Sequence, residues 1–119
     1  MKVINLMKHD CKISLVGTTM TFPPSGKIAT VKEHSTEVAH RFLEKDENGH
    51  EGLQVPIVKR EFGEVTNLPD PEAGKIYIVP SLVLLAVPDR KDVFAPDSGE
   101  TAIRNEKGHV LSVCRLVGN

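Results

Sequence analysis

The chemistry that this sequence suggests most directly is anion binding. Arg60, Arg90, Arg104 and Arg115 lie in or beside predicted regular elements, and arginine is the side chain best suited to bidentate contacts with phosphate. Ser81 stands where a strand is predicted to run into a helix, whose first backbone N–H groups are unpaired and can face an anion. Surface solubility of the arginines and helix capping by Ser81 are the alternative interpretations.

Two further residue types extend this candidate site. Phe62 lies near a predicted loop junction, where its ring could stack on a base, and Asp92 follows Arg90 in a mixed-charge segment. The candidate general bases of the chain are few, namely His9, His109, Asp92 and Asp97. We assign no catalytic residue. The predicted ligand-binding residues are Arg60, Phe62, Ser81, Arg90, Asp92 and Arg104.

The histidines and cysteines do not have the spacing of a metal site. His9-x-Cys11 and His34-x5-His40 supply suitable ligand types, but no CxxC or HExxH motif occurs. Cys114 lies within a predicted strand, where a free cysteine behaves as a small apolar residue. We therefore expect no metal, no cofactor and no cysteine nucleophile.

Length and charge narrow the class of protein. The chain has 119 residues with 15 basic and 16 acidic side chains, a formal charge of −1, which argues against binding of extended nucleic acid through a broad basic face. No apolar run reaches the roughly 18–20 residues of a membrane span, and Lys8, His9 and Asp10 interrupt a signal-peptide core. Two cysteines make no disulfide framework. We expect one cytoplasmic domain over residues 1–119.

Nine glycines and eight prolines predict many short elements rather than a few long helices. Lys75–Val79 is the clearest strand, rich in β-branched and aromatic residues, and Leu82–Val87 is predicted to be a short buried helix. The turn Pro23–Gly26 predicts a hairpin between Met20–Phe22 and a return strand over Lys27–Val31.

One segment allows two interpretations, because Thr36–His50 fits a helix or a strand that ends in an exposed loop. Pro56 restricts the following strand to a sheet edge, and Gly63–Val65 is predicted to begin a surface loop. The whole pattern indicates an α+β fold, strand-dominated and mostly antiparallel with hairpins, and with one short buried helix near residues 81–87.

Seven motifs in this order resemble a family of small proteins encoded by bacteriophages and prophages. They are Pro23–Gly26, Val55–Val58, Phe62–Pro69, Tyr77–Val79, Ser81–Val83, Arg90–Val93 and Ala95–Gly99. The resemblance covers nearly the whole chain, and the sequence departs from the pattern over Lys32–Gly52. It implies a compact module in a phage setting, hence in the host cytoplasm, and it carries no activity or site residue over to this chain.

These observations favour a non-enzymatic binding protein for a small anionic, nucleotide-like ligand. By analogy of size and setting, it would act like the viral sponges that sequester nucleotide immune signals. The alternatives are an interaction module that inhibits a host protein, with Val55–Glu61 as a docking strand, and a nucleotide-processing enzyme. Because Leu82–Val87 is apolar on every side, we also expect a homo-oligomer, most simply a twofold dimer with this helix near the interface.

Overall fold

The computed structural model describes all residues, 1–119, and consists of ten strands and one helix. The first five strands are β1 (Lys2–Asn5), β2 (Cys11–Leu15), β3 (Thr18–Phe22), β4 (Thr30–Phe42) and β5 (Gln54–Thr66). The remaining elements are β6 (Lys75–Ile78), α1 (Ser81–Ala86), β7 (Val93–Pro96), β8 (Ile103–Arg104), β9 (Val110–Ser112) and β10 (Leu116–Gly118).

The central sheet has the strand order β1-β6-β7-β10. β1, β6 and β7 are parallel, with Asn5 opposite Ile78 and Ile78 opposite Phe94, and β10 closes the sheet in the antiparallel direction. A parallel pair needs a crossover connection, and α1 supplies it between β6 and β7. The expectation of a mostly antiparallel fold therefore fails for this sheet and holds for the smaller ones.

The apolar core lies on this sheet and under α1. Its largest fully buried side chains include Tyr77, Leu6 and Val79, and Val83 and Leu84 of the helix join the same cluster. The KIYI strand and the short helix were both predicted from local pattern, and both are confirmed. The helix is not covered on every side, because Leu82 and Leu85 remain exposed.

The predicted hairpin across Pro23–Gly26 is wrong. β3 pairs with β2 instead, and residues 27–29 do not form a strand before β4 begins at Thr30. Two residues, Val16 and Gly17, connect β2 to β3, and both have positive φ. A two-residue turn of this kind matches the twist of the strands that it joins. The hairpin therefore forms at Val16 and Gly17 and not at the proline-rich segment Pro23–Gly26.

The C-terminal strands divide between two sheets. β8 and β9 form a hairpin, but the chain then leaves it, and β10 pairs with β7. Gly118 faces Phe94 in this pairing, and a Cβ at Gly118 would lie 2.9 Å from the Phe94 ring. The Asn119 amide donates to the carbonyls of Leu84 and Val87, which also accept the backbone N–H groups of Val87 and Arg90.

β4 and β5 form a separate two-stranded sheet, so Thr36–Phe42 is strand rather than helix and β5 continues through Gly63. A Cβ at Gly63 would lie 3.3 Å from that of Lys32, and His34 Nε2 lies 3.8 Å from Glu61 Oε2. The strands therefore run antiparallel, with Lys32 facing Gly63 and His34 facing Glu61. Continuing this register places Val38 opposite Ile57.

The chain forms two compact units. The first comprises Met1–Val31 with Glu64–Asn119, and the second is the Lys32–Gly63 hairpin. The coarser expectation of a strand-dominated chain with one short helix is confirmed. No helix is long and apolar enough to cross a membrane.

The β2–β3 turn predicts a stabilising substitution. Val16 is fully exposed with φ of 51°, a conformation that costs a β-branched residue about 1–2 kcal/mol. Because asparagine tolerates this conformation and Asn-Gly is the preferred pair in such turns, Val16→Asn should raise the free energy of urea unfolding by about 1 kcal/mol. Gly17→Ala, where no atom lies near the added Cβ, should lower it by a similar amount. Equal unfolding curves for all three proteins would contradict this assignment.

Candidate functional site

The carboxyl ends of β1, β6 and β7 meet at one edge of the central sheet, because these strands are parallel. Three connections leave the sheet there. The first runs from Leu6 to Asp10, the second contains Pro80 and Ser81, and the third contains Asp97 and Ser98. In open α/β sheets, ligands bind in the crevice outside the carboxyl ends of the strands.

The side chain of Asn5 shapes the first of these connections. Asn5 is only 2% exposed, and its Oδ1 accepts a hydrogen bond from the Met7 N–H at 2.9 Å. Its Nδ2 donates to the carbonyls of His9 at 2.8 Å and of Phe22 at 2.9 Å. Both amide hydrogens and the amide oxygen are thereby used, so the loop after β1 and the end of β3 are held by one buried group.

A groove of about 390 Å³, here called the carboxyl-end groove, opens at this edge. Each of the three connections contributes to it, through His9, Ser81 and Ser98 among others. Its lining residues are Met7, His9, Asp10, Cys11, Lys12, Pro80, Ser81, Pro96, Ser98 and Val110–Val113. Its volume lies in the range of small-molecule sites, about 300–1,000 Å³.

The polar side chains of the carboxyl-end groove include one ammonium group, one carboxylate and three hydroxyl groups. Lys12 is an exposed cation, and Ser81 and Ser98 place two exposed hydroxyl groups on the lining. Ser112 is different, because it is buried and accepts a hydrogen bond from Ser14 Oγ at 2.9 Å. Asp10 is the one carboxylate among the lining residues.

Cys11 lines the groove as a structural rather than a reactive residue. It is 2% exposed, and burial raises the pKa of its thiol. The thiolate is the nucleophilic form of cysteine, so at neutral pH the thiol stays protonated. Among His, Cys, Asp and Glu, no group of three or more is placed to hold a metal ion.

A second groove, here called the apolar groove, adjoins the first and shares Met7, His9 and Pro80 with it. Its volume is about 380 Å³. Its other lining residues are Lys8, Ile28, Ala29, Thr30, Val31, Leu82 and Val83. Polar hydroxyl and ammonium groups on one side and an aliphatic surface on the other therefore lie next to each other at one sheet edge.

The predicted pair Arg90 and Asp92 forms an internal ion pair. Arg90 Nε and a terminal nitrogen each donate to the Asp92 carboxylate at 2.9 Å, and Arg90 also donates to the Pro69 carbonyl at 2.8 Å. Both side chains are about one-fifth exposed, at 20% and 19%. The hydrogen bond from Arg90 to Pro69 links the loop before β7 to the loop before β6. Neither Arg90 nor Asp92 lines either of the two grooves.

Arg104 is likewise bonded within the protein. Its guanidinium donates to the carbonyls of Gly108 and Ser98, at 2.9 and 2.6 Å. Ser81 does line the carboxyl-end groove, but the capping interpretation is wrong: Pro80 occupies the N-cap position, and no side chain caps α1. Six residues align few peptide dipoles, so this helix end alone offers little attraction for an anion.

Arg60 and Phe62 belong to β5, within the hairpin unit. Arg60 Nε lies 3.5 Å from Glu33 Oε1, and Phe62 is half-buried. Of the six predicted binding residues, Ser81 alone lines the carboxyl-end groove. The residues missed were Lys12, His9 and Ser98. His9 and Ser98 lie in the connections after β1 and β7, and Lys12 lies within β2. The sequence does not show these segments to be neighbours.

Comparison of the chain with protein families, with curated proteins and with solved structures finds no match. The geometry of the sheet edge is therefore the basis for a functional assignment.

The Arg90–Asp92 pair predicts a pH dependence of stability. Hydrogen bonds from Arg90 hold the pKa of Asp92 below its ordinary value, so on acidification the unfolded chain takes up this proton first. The pair's contribution is present above the unfolded-state pKa and is lost as pH falls through the folded-state pKa. Asp92→Asn should lower the free energy of unfolding by about 1–3 kcal/mol at neutral pH.

Urea unfolding between about pH 7 and pH 3 checks this. The difference between wild type and Asp92→Asn should shrink as the pH falls. Asp89→Asn is the matched control, since Asp89 is exposed and shows no ion pair. A difference that is equally large at both ends of the pH range would contradict the prediction.

Proposed function

We propose that this chain is a non-enzymatic binding protein that holds a small anionic, nucleotide-like ligand in the carboxyl-end groove. The observation that carries the proposal is the convergence of three connections at the carboxyl ends of β1, β6 and β7. Ligands occupy this position in open α/β sheets. This rule rests on similarity of architecture alone. The reasons for an anionic ligand come from the side chains that line the groove.

Lys12 is the proposed anchor for the anionic part of the ligand. Its ammonium group can donate three hydrogen bonds, and the hydroxyl groups of Ser81 and Ser98 add neutral donors on the same lining. His9 lies where the two grooves meet, and its imidazole N–H is a further hydrogen-bond donor. Phosphate is the anion that such a set of ammonium and hydroxyl donors binds well.

The apolar groove supports a ligand with a flat or aliphatic portion. Ile28, Val31 and Leu82 give it an apolar lining, which suits burial of a nucleobase face. Because the two grooves share Met7, His9 and Pro80, one molecule can extend from the donors into the apolar surface. Nucleotides have this division into an anionic end and an apolar ring.

The proposal assigns no nucleophilic role to Cys11. Cys11, the thiol on the groove lining, is kept protonated by burial and is a poor nucleophile in that form. A ligand held without reaction is sequestered. In the phage setting that the sequence motifs imply, a sequestered nucleotide signal of the host would make this chain a counter-defence sponge.

Thermal unfolding with defined probes tests the proposed function. AMP, ADP-ribose and a cyclic dinucleotide are the anionic probes, and adenosine is the uncharged control. We expect at least one anionic probe to raise the melting temperature, because a ligand that binds only the folded state stabilises it. Lys12→Glu should weaken this binding about tenfold to a hundredfold, since a hydrogen bond to a charged group contributes about 1.5–3 kcal/mol.

Lys107→Glu is the matched control, because it changes the charge equally at an exposed turn outside both grooves. Chromatography of the recovered probe should return it unchanged. Stabilisation by none of the probes would contradict the binding proposal, and conversion of a probe would show an enzyme instead.

A further inference from the structure

The hairpin of β4 and β5 has unpaired edges on both sides, since each strand pairs only with the other. A two-stranded sheet by itself is marginally stable in water, and three or more strands with an apolar face are needed for independent stability. The hairpin nevertheless exposes large apolar side chains: Val38 is 58% exposed, Phe42 72% and Ile57 42%. These features indicate a surface that gains from further strand pairing.

The two edges differ in their capacity to pair. β5 contains Pro56, which has no N–H to donate, and Gly63, which weakens a strand interior. β4 contains neither proline nor glycine over its 13 residues. Its outer edge therefore presents an unbroken row of backbone donors and acceptors, which is a template for an added strand.

We propose that a second copy of this chain pairs with the outer edge of β4, antiparallel and about a twofold axis through Ala39. The product is a four-stranded sheet in the order β5-β4-β4-β5. The proposal is independent of the carboxyl-end groove. The charge pattern of β4 itself favours a second copy of the chain over another partner.

A twofold antiparallel pair places residues that point to the same face opposite one another. With Ala39 on the axis, Glu37 of each copy faces Arg41 of the other, which gives two opposite-charge pairs. With Glu37 on the axis, two glutamates meet, and with Ser35 there, Glu33 faces Glu37. Cross-strand pairs of opposite charge stabilise a sheet and pairs of like charge destabilise it.

The Ala39 register is thus the one that gives β4 attractive charge pairs without a repulsive one. The small side chain of Ala39, half-buried in the hairpin, leaves room for its symmetry mate at the axis. Within one copy, the Glu37 carboxylate contacts His40 Nε2 at 2.7 Å, so it already lies beside a nitrogen group. Pairing also brings the Val38 and Phe42 side chains of both copies onto one sheet face.

Sedimentation velocity and cysteine cross-linking test the proposal. The full chain should sediment as a dimer at micromolar concentration, and Ala39→Cys should form a covalent dimer on mild oxidation, because directly opposite residues lie within disulfide range. Ser35→Cys is the matched control. In the proposed register its two copies lie eight residues apart along the strand, about 26 Å, and should not cross-link above the unsubstituted chain.

Charge reversal supplies a second, independent readout. Glu37→Arg and Arg41→Glu should each weaken the dimer about tenfold, because each creates two like-charge pairs. The double variant restores opposite charges and should restore the dimer. A monomer at all concentrations, equal cross-linking of Ala39→Cys and Ser35→Cys, or a dimer unchanged by both single reversals would overturn the proposal.

Discussion

The buried amide of Asn5 is the group on which this structure most depends. A polar side chain that is 2% exposed must have its hydrogen bonds satisfied within the protein, and Asn5 satisfies them by binding Met7, His9 and Phe22. It thereby joins the end of β1 to the end of β3. The Leu6 N–H next to it continues the pairing with β6 through the Ile78 carbonyl.

That constraint connects the fold to the proposed function. The loop after β1 contributes Met7 and His9 to both grooves, and Asn5 sets the path of this loop. α1 forms another part of the boundary, because Ser81 lies on the carboxyl-end groove while Val83 and Leu84 are buried in the core. The grooves are therefore bounded by connections whose other ends are fixed in the sheet.

Local pattern in the sequence was sufficient for individual elements and insufficient for their pairing. β6 and α1 were predicted correctly, because β-branched residues and an apolar run bounded by prolines are local signals. The contact of β1 with β6 joins segments about 70 residues apart, and nothing in either segment specifies the other. The antiparallel expectation failed at this sheet for that reason.

The same contrast between local pattern and long-range contact applies to the predicted binding residues. Arginine side chains are well suited to bind phosphate, but Arg90 and Arg104 donate to groups of the protein itself. These partners follow from the folded geometry alone. Lys12 and Ser98 become binding candidates only when the fold places β2 and the connection after β7 on one groove. The residue types in the sequence thus predict a ligand class, and the topology of the sheet is the basis for the proposed site.

The unfolding free energy of Asn5→Asp tests the central role of this amide most directly. Aspartate is nearly isosteric and keeps an acceptor for Met7, but it lacks the amide donors to the His9 and Phe22 carbonyls. We predict a loss of about 3 kcal/mol in urea unfolding at neutral pH. Asn119→Asp, which also removes an amide that donates to two backbone carbonyls but at an exposed position, should lose less than about 1 kcal/mol. A loss for Asn5→Asp no greater than that of this control would contradict the account.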